Sequence, residues 1–452
     1  MLIFQNQLGA EFTMRIFLED LFSQDLWDII SSPLAMGIYV LVVLLGLIVL
    51  IITVLVSEFR MNQSAELEKE AEKNRKAEEA MANSQVEEPD DDQSSRFYML
   101  SEIDEGMDSY TSPKYNNDLT LKEICEEFRG YAASRLGLYY DIADIRRFIA
   151  GMSVTHILIM QGMSGTGKTS LAYAFGEFLQ NPSTIVPIQP MWKERTDMIG
   201  YYNEFTKKFN ETVLLRKMYE ADYTDEIYIT VLDEMNIARV EYYFAEFLSL
   251  LEIPNEKKRY LDVVADKWEN DPKLLKDGQI WLPPNMWFVG TANNDDSTFA
   301  ISDKVYDRAM VMNLDKKAEV FESEDRKSIK LSCSHFIGLI ETARDQYELT
   351  ERNRRRLKML DEYLMEKFRI TFGNRIMKQI NQYIPVILAC GGDELGALDD
   401  ILSRKVLRKL ESQNPVYVRN AADGLCVYLD DLFGTDRMPL CKEYLRRLER
   451  SA

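Results

Sequence analysis

From residue 119 onward, short apolar runs alternate with segments whose apolar residues recur at helical spacing. Five apolar runs have the length of a strand, at residues 157–160, 184–188, 227–232, 286–291 and 310–314. The segment 241–252 between them reads as an amphipathic helix. Such alternation is typical of an α/β fold with a mostly parallel sheet. We therefore predict a parallel sheet core, preceded by two helices within residues 119–152 and followed by a helical C-terminal region.

A different pattern occupies the beginning of the chain. Residues Leu34 to Val56 form an apolar run of 23 residues without a charged side chain. A transmembrane helix takes about 20 such residues, so a span is predicted there, with a buried core helix as the alternative. Within twenty residues, Arg15 is the one basic residue before the run, whereas five follow it. The positive-inside rule then predicts a single-pass membrane protein whose C-terminal part is cytoplasmic.

Composition changes again between the apolar run and the sheet. Residues 64–82 are rich in Ala, Glu and Lys, which favours a solvated helical stalk, and residues 84–95 are acidic and polar, as in a flexible linker. The predicted domain organisation is a short extension (1–33), a transmembrane helix (34–57), a charged stalk and linker (58–96), an α/β domain with its leading helices (97–320) and a helical lid with further helices (321–452).

Charge and composition narrow the classes of function. A net charge of −20 argues against non-specific binding of nucleic acid by the surface as a whole. No basic patch with interleaved aromatic residues is present, so direct nucleic-acid binding is not evident. The five cysteines form no C-x-x-C pair and the chain has two histidines, a composition that does not favour a structural zinc site.

A glycine-rich loop follows the first apolar run of the predicted sheet. Residues Gly162–Ser170 read GMSGTGKTS and fit the P-loop pattern G-x-x-x-x-G-K-[ST]. Glycines let the backbone curl so that several N–H groups point at one phosphate. Lys168 would reach the β- and γ-phosphates, and the hydroxyl of Thr169 would ligate Mg²⁺. The predicted nucleotide-binding residues are Gly162, Ser164, Gly165, Thr166, Gly167, Lys168, Thr169 and Ser170. A chance glycine-rich turn is the alternative, and the strand before and helix after argue against it.

Polar side chains follow two further predicted strands. Asp233 and Glu234 end the apolar run 227–232. In a P-loop protein Asp233 would hold the Mg²⁺ shell, and Glu234 would orient and deprotonate the attacking water. A solvated Asp-Glu turn is the alternative, but it would not need an apolar strand in front of it. Asn293 follows the run 286–291, where its amide could hydrogen-bond the γ-phosphate or the water.

Taken together, these segments resemble a known family. The sequences GMSGTGKTS, DEMNIARVEYYFAEFLSLLE, FVGTANNDDSTFAISDKVYDRA and FGNRIMKQINQY look like an AAA+ ATPase, and residues 194–209 and 397–409 are similar to its dynein-related, McrB-like branch. The resemblance implies that Asn293 is sensor 1, Arg308 is an arginine finger and Arg375 is a sensor-2 candidate. It also implies a homo-oligomeric ring, usually a hexamer. Simple surface pairing of Arg308 with Asp303 or Asp307, and a solvated Arg375, are the alternatives.

The function expected from the sequence is that of a membrane-anchored nucleoside triphosphatase. Hydrolysis of ATP with Mg²⁺, or of GTP instead, would drive remodelling or translocation of a client. The resemblance suggests the motor of a restriction or anti-phage system with a separate nuclease or effector subunit. The alternative is a nucleotide-gated membrane scaffold or a MoxR-like chaperone that assembles a partner complex.

Overall fold

A computed structural model of the chain describes residues 95–293 and 298–451. Its central feature is a five-stranded parallel sheet with the strand order β2-β5-β8-β1-β9. Two antiparallel hairpins, β3–β4 and β6–β7, stand beside it. The strands are β1 (Ile157–Gln161), β2 (Thr184–Pro187), β3 (Gly200–Asn203), β4 (Lys208–Glu211), β5 (Tyr228–Asp233), β6 (Tyr260–Asp262), β7 (Gln279–Trp281), β8 (Met286–Ala292) and β9 (Met310–Asn313). The predicted parallel α/β sheet is confirmed, and the hairpins are additions that the apolar pattern did not indicate.

Helices cover both faces of the sheet and make up the C-terminal region, as predicted. They are α1 (Met99–Met107), α2 (Leu121–Leu136), α3 (Ile142–Val154), α4 (Lys168–Phe178), α5 (Thr196–Ile199), α6 (Val213–Ala221), α7 (Val240–Tyr243), α8 (Ala245–Leu251), α9 (Asp303–Tyr306), α10 (Cys333–Gln346), α11 (Glu351–Phe368), α12 (Gly373–Ala389), α13 (Glu394–Ile401), α14 (Pro415–Phe433) and α15 (Pro439–Ser451). Short 3₁₀ turns lie at Met235–Ile237, Glu256–Lys258 and Leu407–Ser412, and a π-helical turn at Leu402–Val406 follows α13.

The first strand shows why the sheet is buried on both faces. In β1, Leu158 and Met160 pack into the apolar cluster beneath α2, α3 and α4, whereas Ile157 and Ile159 face a second cluster on the other side. A strand with apolar residues on both faces needs helices on both sides of the sheet, which is the usual arrangement of parallel sheets. The C-terminal ends of the strands, and the loops that follow them, are therefore anchored by a sheet that is buried on both faces.

One predicted helix is interrupted. The apolar spacing over residues 241–252 predicts a single helix, but α7 ends at Tyr243 and α8 begins at Ala245. Phe244 lies between them with φ −105° and ψ 5°, fully buried and stacked on Phe247 at 5.0 Å between ring centroids. Packing of the aromatic side chains against the sheet thus takes precedence over helix continuity.

The predicted membrane localisation is wrong in the light of the structure. Across residues 95–293 and 298–451, no helix is both long enough and apolar enough to cross a membrane. In this part of the chain the helices of 18 residues or more are α11 and α14, and both carry charged side chains along their length, which a hydrocarbon core would not accept. The stretch Leu34–Val56, on which the prediction rested, lies outside the described residues, as do the stalk and most of the linker.

Residues Gln93–Ala452 form one compact unit that contains the sheet and the helices after it. After β9 the chain passes along α2 and α4, where Arg326 pairs with Glu127 at 2.8 Å and the Ile329 amide donates to the Phe178 carbonyl at 2.7 Å. It then enters α10. The predicted boundary at residue 320 between an α/β domain and a helical lid stays a prediction.

Candidate active site

The P-loop joins β1 to α4 in the conformation that the glycines require. Gly162, Gly165 and Gly167 have positive φ angles of 137°, 77° and 94°. At Gly162 a Cβ atom would lie 2.3 Å from the carbonyl oxygen of Leu314, so only glycine fits there. The loop lies at the C-terminal edge of the sheet and opens directly into the first turn of α4, which leaves backbone N–H groups at its mouth.

Lys168 folds back over this loop. Its Nζ donates to the carbonyl oxygens of Gly162 at 2.9 Å and Met163 at 2.8 Å, and the side chain is 7% exposed. Burial lowers the pKa of Lys168, while the nearby carboxylates of Asp233, Asp315 and Glu234 act in the opposite direction. The ammonium is thus held at the centre of the loop, where a phosphate group could exchange for the two carbonyls.

A hydroxyl–carboxylate network connects the P-loop with the ends of β5 and β8. Oδ1 of Asp233 accepts hydrogen bonds from the hydroxyls of Thr169 and Thr291, both at 2.8 Å. The Thr291 hydroxyl in turn accepts from the backbone N–H of Glu234 at 2.9 Å. Glu234 has a left-handed backbone with φ 51°, unusual for a residue with a side chain, and is exposed. The structure therefore brings together the predicted Thr169, Asp233 and Glu234.

Asn293 lies at the same edge, after β8. Its carbonyl accepts from the side-chain amide of Asn236 at 2.8 Å and from the hydroxyl of Thr298 at 3.0 Å. Both Asn236 and Asn293 line a cavity of about 300 Å³ that also contains Gly162. The predicted sensor residue is thereby placed next to the start of the P-loop.

The two predicted arginines lie elsewhere in the subunit. Arg308 contacts Oε2 of Glu252 at 2.9 Å through Nη2, and Arg375 contacts Oε1 of the same carboxylate at 2.5 Å. Arg308 therefore pairs with Glu252 and not, as in the alternative, with Asp303 or Asp307. Asp303 accepts from Arg408 instead. One carboxylate thus holds two guanidinium groups side by side.

This pair lies at the edge of the sheet opposite to the P-loop. Leu158 is level with Met310 in the register of β1 and β9, and Arg308 comes two residues before Met310, in the turn that leads into β9. The P-loop begins at Gly162, four residues after Leu158 and so roughly 13 Å further along the strand at 3.3 Å per residue. Both arginines line a cleft of about 1200 Å³ that includes His156 and Trp287, at the N-terminal ends of β1 and β8. Arg375 therefore does not contact the P-loop of its own subunit.

The segment that carries the P-loop strand and Arg308 matches a known family. Residues 157–309 match the model of the AAA domain, dynein-related subfamily. This chain contains an AAA domain. AAA domains bind nucleotide, usually with Mg²⁺, and commonly form oligomeric rings. Residues 326–452 match a second family, described only as a domain of unknown function, DUF8727.

Comparison with whole proteins adds little to this assignment. A solved structure from Cytophaga hutchinsonii, described as "a putative ATPase", is similar with 14% sequence identity and a TM-score of 0.44. The similarity covers 70% of this chain and 94% of that one, and at this level it carries no functional information. No curated protein matches the sequence.

The residues of the AAA domain fit a nucleotide with Mg²⁺. The loop around Gly162 has no room for a side chain, its backbone faces a helix N-terminus, and Lys168 supplies a cation at its centre. Thr169 and Asp233 present two adjacent oxygens, and Mg²⁺ typically takes one or two protein oxygens and completes its shell with phosphate oxygens and water. Within the described part of the chain, no group of three or more His, Cys, Asp or Glu side chains could hold a metal ion by itself.

Several residues of the site were missed by sequence reasoning. Thr291 precedes Asn293 by two positions in β8, and a hydroxyl in an otherwise apolar buried strand was the available signal. Arg404 and Arg408 reach the cavity beside Gly162 from the region after α13. Arg404 is 8% exposed, and its Nη1 is buried without a hydrogen-bond partner. No local pattern distinguishes these two from the other arginines of that region.

Thr291→Val should weaken the site and the fold together. The substitution removes the donor to Asp233 and the acceptor for the Glu234 N–H, and leaving buried polar groups without partners costs about 1–3 kcal/mol. We expect the free energy of unfolding in a urea titration to fall by that amount. Thr291→Ser keeps the hydroxyl and serves as the control, with a smaller loss. Equal stabilities of the Val variant and the wild type would show that the network does not form.

Proposed function

We propose that this protein is a nucleoside triphosphatase whose active sites are shared between neighbouring copies of the chain in a ring. ATP is the proposed substrate, with GTP as the alternative because no residue pattern selects the base. Each site would combine the P-loop edge of one subunit with the Arg308 edge of the next. Within the dynein-related AAA domains we propose the McrB-like branch, on the resemblance of residues 194–209 and 397–409, and hence a hexamer.

The observation that carries this proposal is the separation of the two halves of the machinery. Thr169, Asp233 and Glu234 lie at one edge of the sheet, and Arg308 and Arg375 lie at the other. Paired arginines suit the recognition of phosphate, because the planar guanidinium keeps its charge and donates two parallel hydrogen bonds. In the isolated subunit both guanidinium groups contact the Glu252 carboxylate, and on assembly a neighbour's phosphate would replace it.

The chemistry assigned to each residue follows from its position. Lys168 and the loop N–H groups would bind the phosphates, and Thr169 and Asp233 would hold Mg²⁺, which supplies neutralisation of phosphate charge. Glu234 would accept a proton as the water oxygen bonds to the terminal phosphorus and the bond to the nucleoside diphosphate breaks. Asn293 would orient the water or the γ-phosphate. Arg308, with Arg375 beside it, would stabilise the charge that develops on the transferred group.

Hydrolysis would drive remodelling or translocation of a client, with any nuclease or effector activity residing in a separate subunit. A nucleotide-gated scaffold or MoxR-like chaperone is the second candidate. The exposed Glu234 on a strained backbone favours the first, because a scaffold that only binds nucleotide would not need a residue held in that conformation.

Dilution of the purified full-length protein tests the proposal. If the site is shared, the rate of hydrolysis per subunit should fall as the protein is diluted below the concentration at which light scattering shows the oligomer to dissociate. Glu252→Gln should change the protein concentration at which the rate per subunit falls, because the carboxylate that holds the two arginines in the free subunit is then lost. A monomer whose rate per subunit is constant over the dilution series would contradict the shared site.

A further inference from the structure

Lys405 occupies an unusual place for a lysine. It lies in the π-helical turn Leu402–Val406, is 5% exposed, and points into the interior beneath α9. Its Nζ donates to three backbone carbonyl oxygens, of Tyr306 at 2.5 Å, Ala309 at 2.7 Å and Asp307 at 3.4 Å. A lysine ammonium has three N–H donors and no acceptor, so this set of carbonyls satisfies it.

Those carbonyls belong to the turn that carries Arg308. Helix α9 ends at Tyr306 and strand β9 begins at Met310, so the turn between them leaves carbonyls without partners in the helix. The side chain of Gln379 in α12 also donates to the Asp307 carbonyl, at 3.2 Å. Two residues of the C-terminal helices thus fix the backbone on both sides of Arg308.

The same C-terminal segment also reaches the P-loop side of the subunit. Arg408 stacks on the ring of Tyr306 with its guanidinium carbon 3.6 Å from the ring centroid, and the Tyr306 hydroxyl accepts from Gln161, the last residue of β1. Arg404 and Arg408 line the cavity next to Gly162. The residues around Lys405 are therefore in contact with both edges of the AAA domain.

A buried cation is costly, which argues that this lysine does more than fill space. The pKa of Lys405 is lowered to about 7, first by burial and further by the charges of Arg408, Arg375 and Lys409, while the charge of Asp307 acts in the opposite direction. An apolar side chain of the same length would avoid this cost. Ionisable groups perturbed in this way are concentrated at functional sites.

We propose that Lys405 is a positioning residue for Arg308, which fixes the turn 306–309 so that the guanidinium reaches the phosphate bound by the neighbouring subunit. This inference rests on the shared site proposed above. With this role for Lys405, the region matched by the domain of unknown function would position the arginine that one subunit contributes to the active site of the next.

Lys405→Met tests the contact, because methionine fills a similar volume without donating hydrogen bonds. In the protein without nucleotide, amide hydrogen exchange at Asp307, Arg308 and Ala309 should become roughly 10-fold faster or more, the scale expected when buried carbonyls lose their donors. Lys409→Met is the matched control, since Lys409 donates to the Thr371 carbonyl, away from this turn. Unchanged exchange in Lys405→Met would overturn the proposal. If that variant does not fold, Lys405→Gln, which keeps an N–H donor, is used in the same measurements.

Mixing experiments then ask which half of the shared site depends on Lys405. Lys405→Met should bind nucleotide normally and lose about 100-fold in turnover, since a displacement of about 1 Å can cost that much. Lys168→Ala subunits, which carry an intact arginine turn, should restore turnover when added to it. Arg308→Ala subunits should not, because neither protein then offers a positioned arginine. The opposite pattern would mean that Lys405 acts on the P-loop of its own subunit, and the proposal would be rejected.

The two measurements separate this inference from the proposed function. Exchange is read in the absence of nucleotide and reports on the turn alone. If the wild type does not hydrolyse nucleotide at any concentration, the proposed function is wrong. The exchange measurement still tests whether Lys405 fixes the turn 306–309. If the wild type is active but Lys405→Met is as active as Lys409→Met, the proposed function survives and the positioning role is wrong.

Discussion

Arg308→Ala protein is expected to bind nucleotide as tightly as the wild type and to hydrolyse it about 1000-fold more slowly. The reason is that Arg308 lies with Glu252 at the edge opposite to its own P-loop, so that in the proposed shared site it would act on a neighbour's phosphate and not on the nucleotide of its own subunit. An arginine supplied from another subunit is typically worth about 10³–10⁵ in turnover, because it stabilises charge that develops only in the transition state.

Two control variants sharpen this prediction. Arg308→Lys keeps the charge but loses the planar fork, and it should recover only a small part of the activity. Arg375→Ala removes the other guanidinium on Glu252 and should lower turnover less than Arg308→Ala if Arg308 is the primary group. Nucleotide affinity is read by titration with a fluorescent analogue, and turnover by phosphate release. Full activity of Arg308→Ala would contradict the assignment.

Glu234→Gln is expected to lower turnover at least about 100-fold without loss of nucleotide binding. The amide cannot accept a proton from the attacking water, and loss of a general base typically costs 10²–10⁴. The variant should fold normally, because the residue is exposed and its backbone N–H still donates to Thr291. Glu246→Gln, which alters a surface pair with Arg195, is the control and should leave turnover unchanged. Comparable rates for the two variants would remove Glu234 from the mechanism.

Much of the fold follows from the order of apolar residues. Each strand of the five-stranded sheet is a short apolar run, and the P-loop glycines act through a backbone conformation that the local sequence determines. The proximity of Thr169 to Asp233 is also predictable, because parallel strands bring their C-terminal ends to one edge of the sheet. These features depend on local sequence and on one rule of topology.

The rest depends on contacts between distant parts of the chain. Glu252 forms ion pairs with both Arg308 and Arg375, and it lies 123 positions before Arg375. No spacing in the sequence indicates that these three residues meet. Lys405 resembles any other lysine of a basic segment until the fold places it under the turn 306–309. The interruption at Phe244 has the same cause, since packing of aromatic side chains on the sheet is decided by the tertiary structure.

The predicted membrane localisation rested on one segment of the chain. The prediction used the length and hydropathy of residues 34–56 and the basic residues on either side of them, and no helix of the described residues supports it. The proposed hydrolytic function does not depend on it, because every residue assigned to the shared site lies between Gly162 and Arg375.

Mixing two inactive variants tests the shared site most directly. Lys168→Ala protein lacks the cation of the P-loop but keeps Arg308, and Arg308→Ala protein has the reverse defect. Each alone should have almost no activity. A mixture in which the subunits exchange should hydrolyse nucleotide, with the highest rate near equal amounts, because some interfaces then combine an intact P-loop with an intact arginine. A mixture no more active than the sum of its parts, in mixed oligomers confirmed by sizing, would contradict the account.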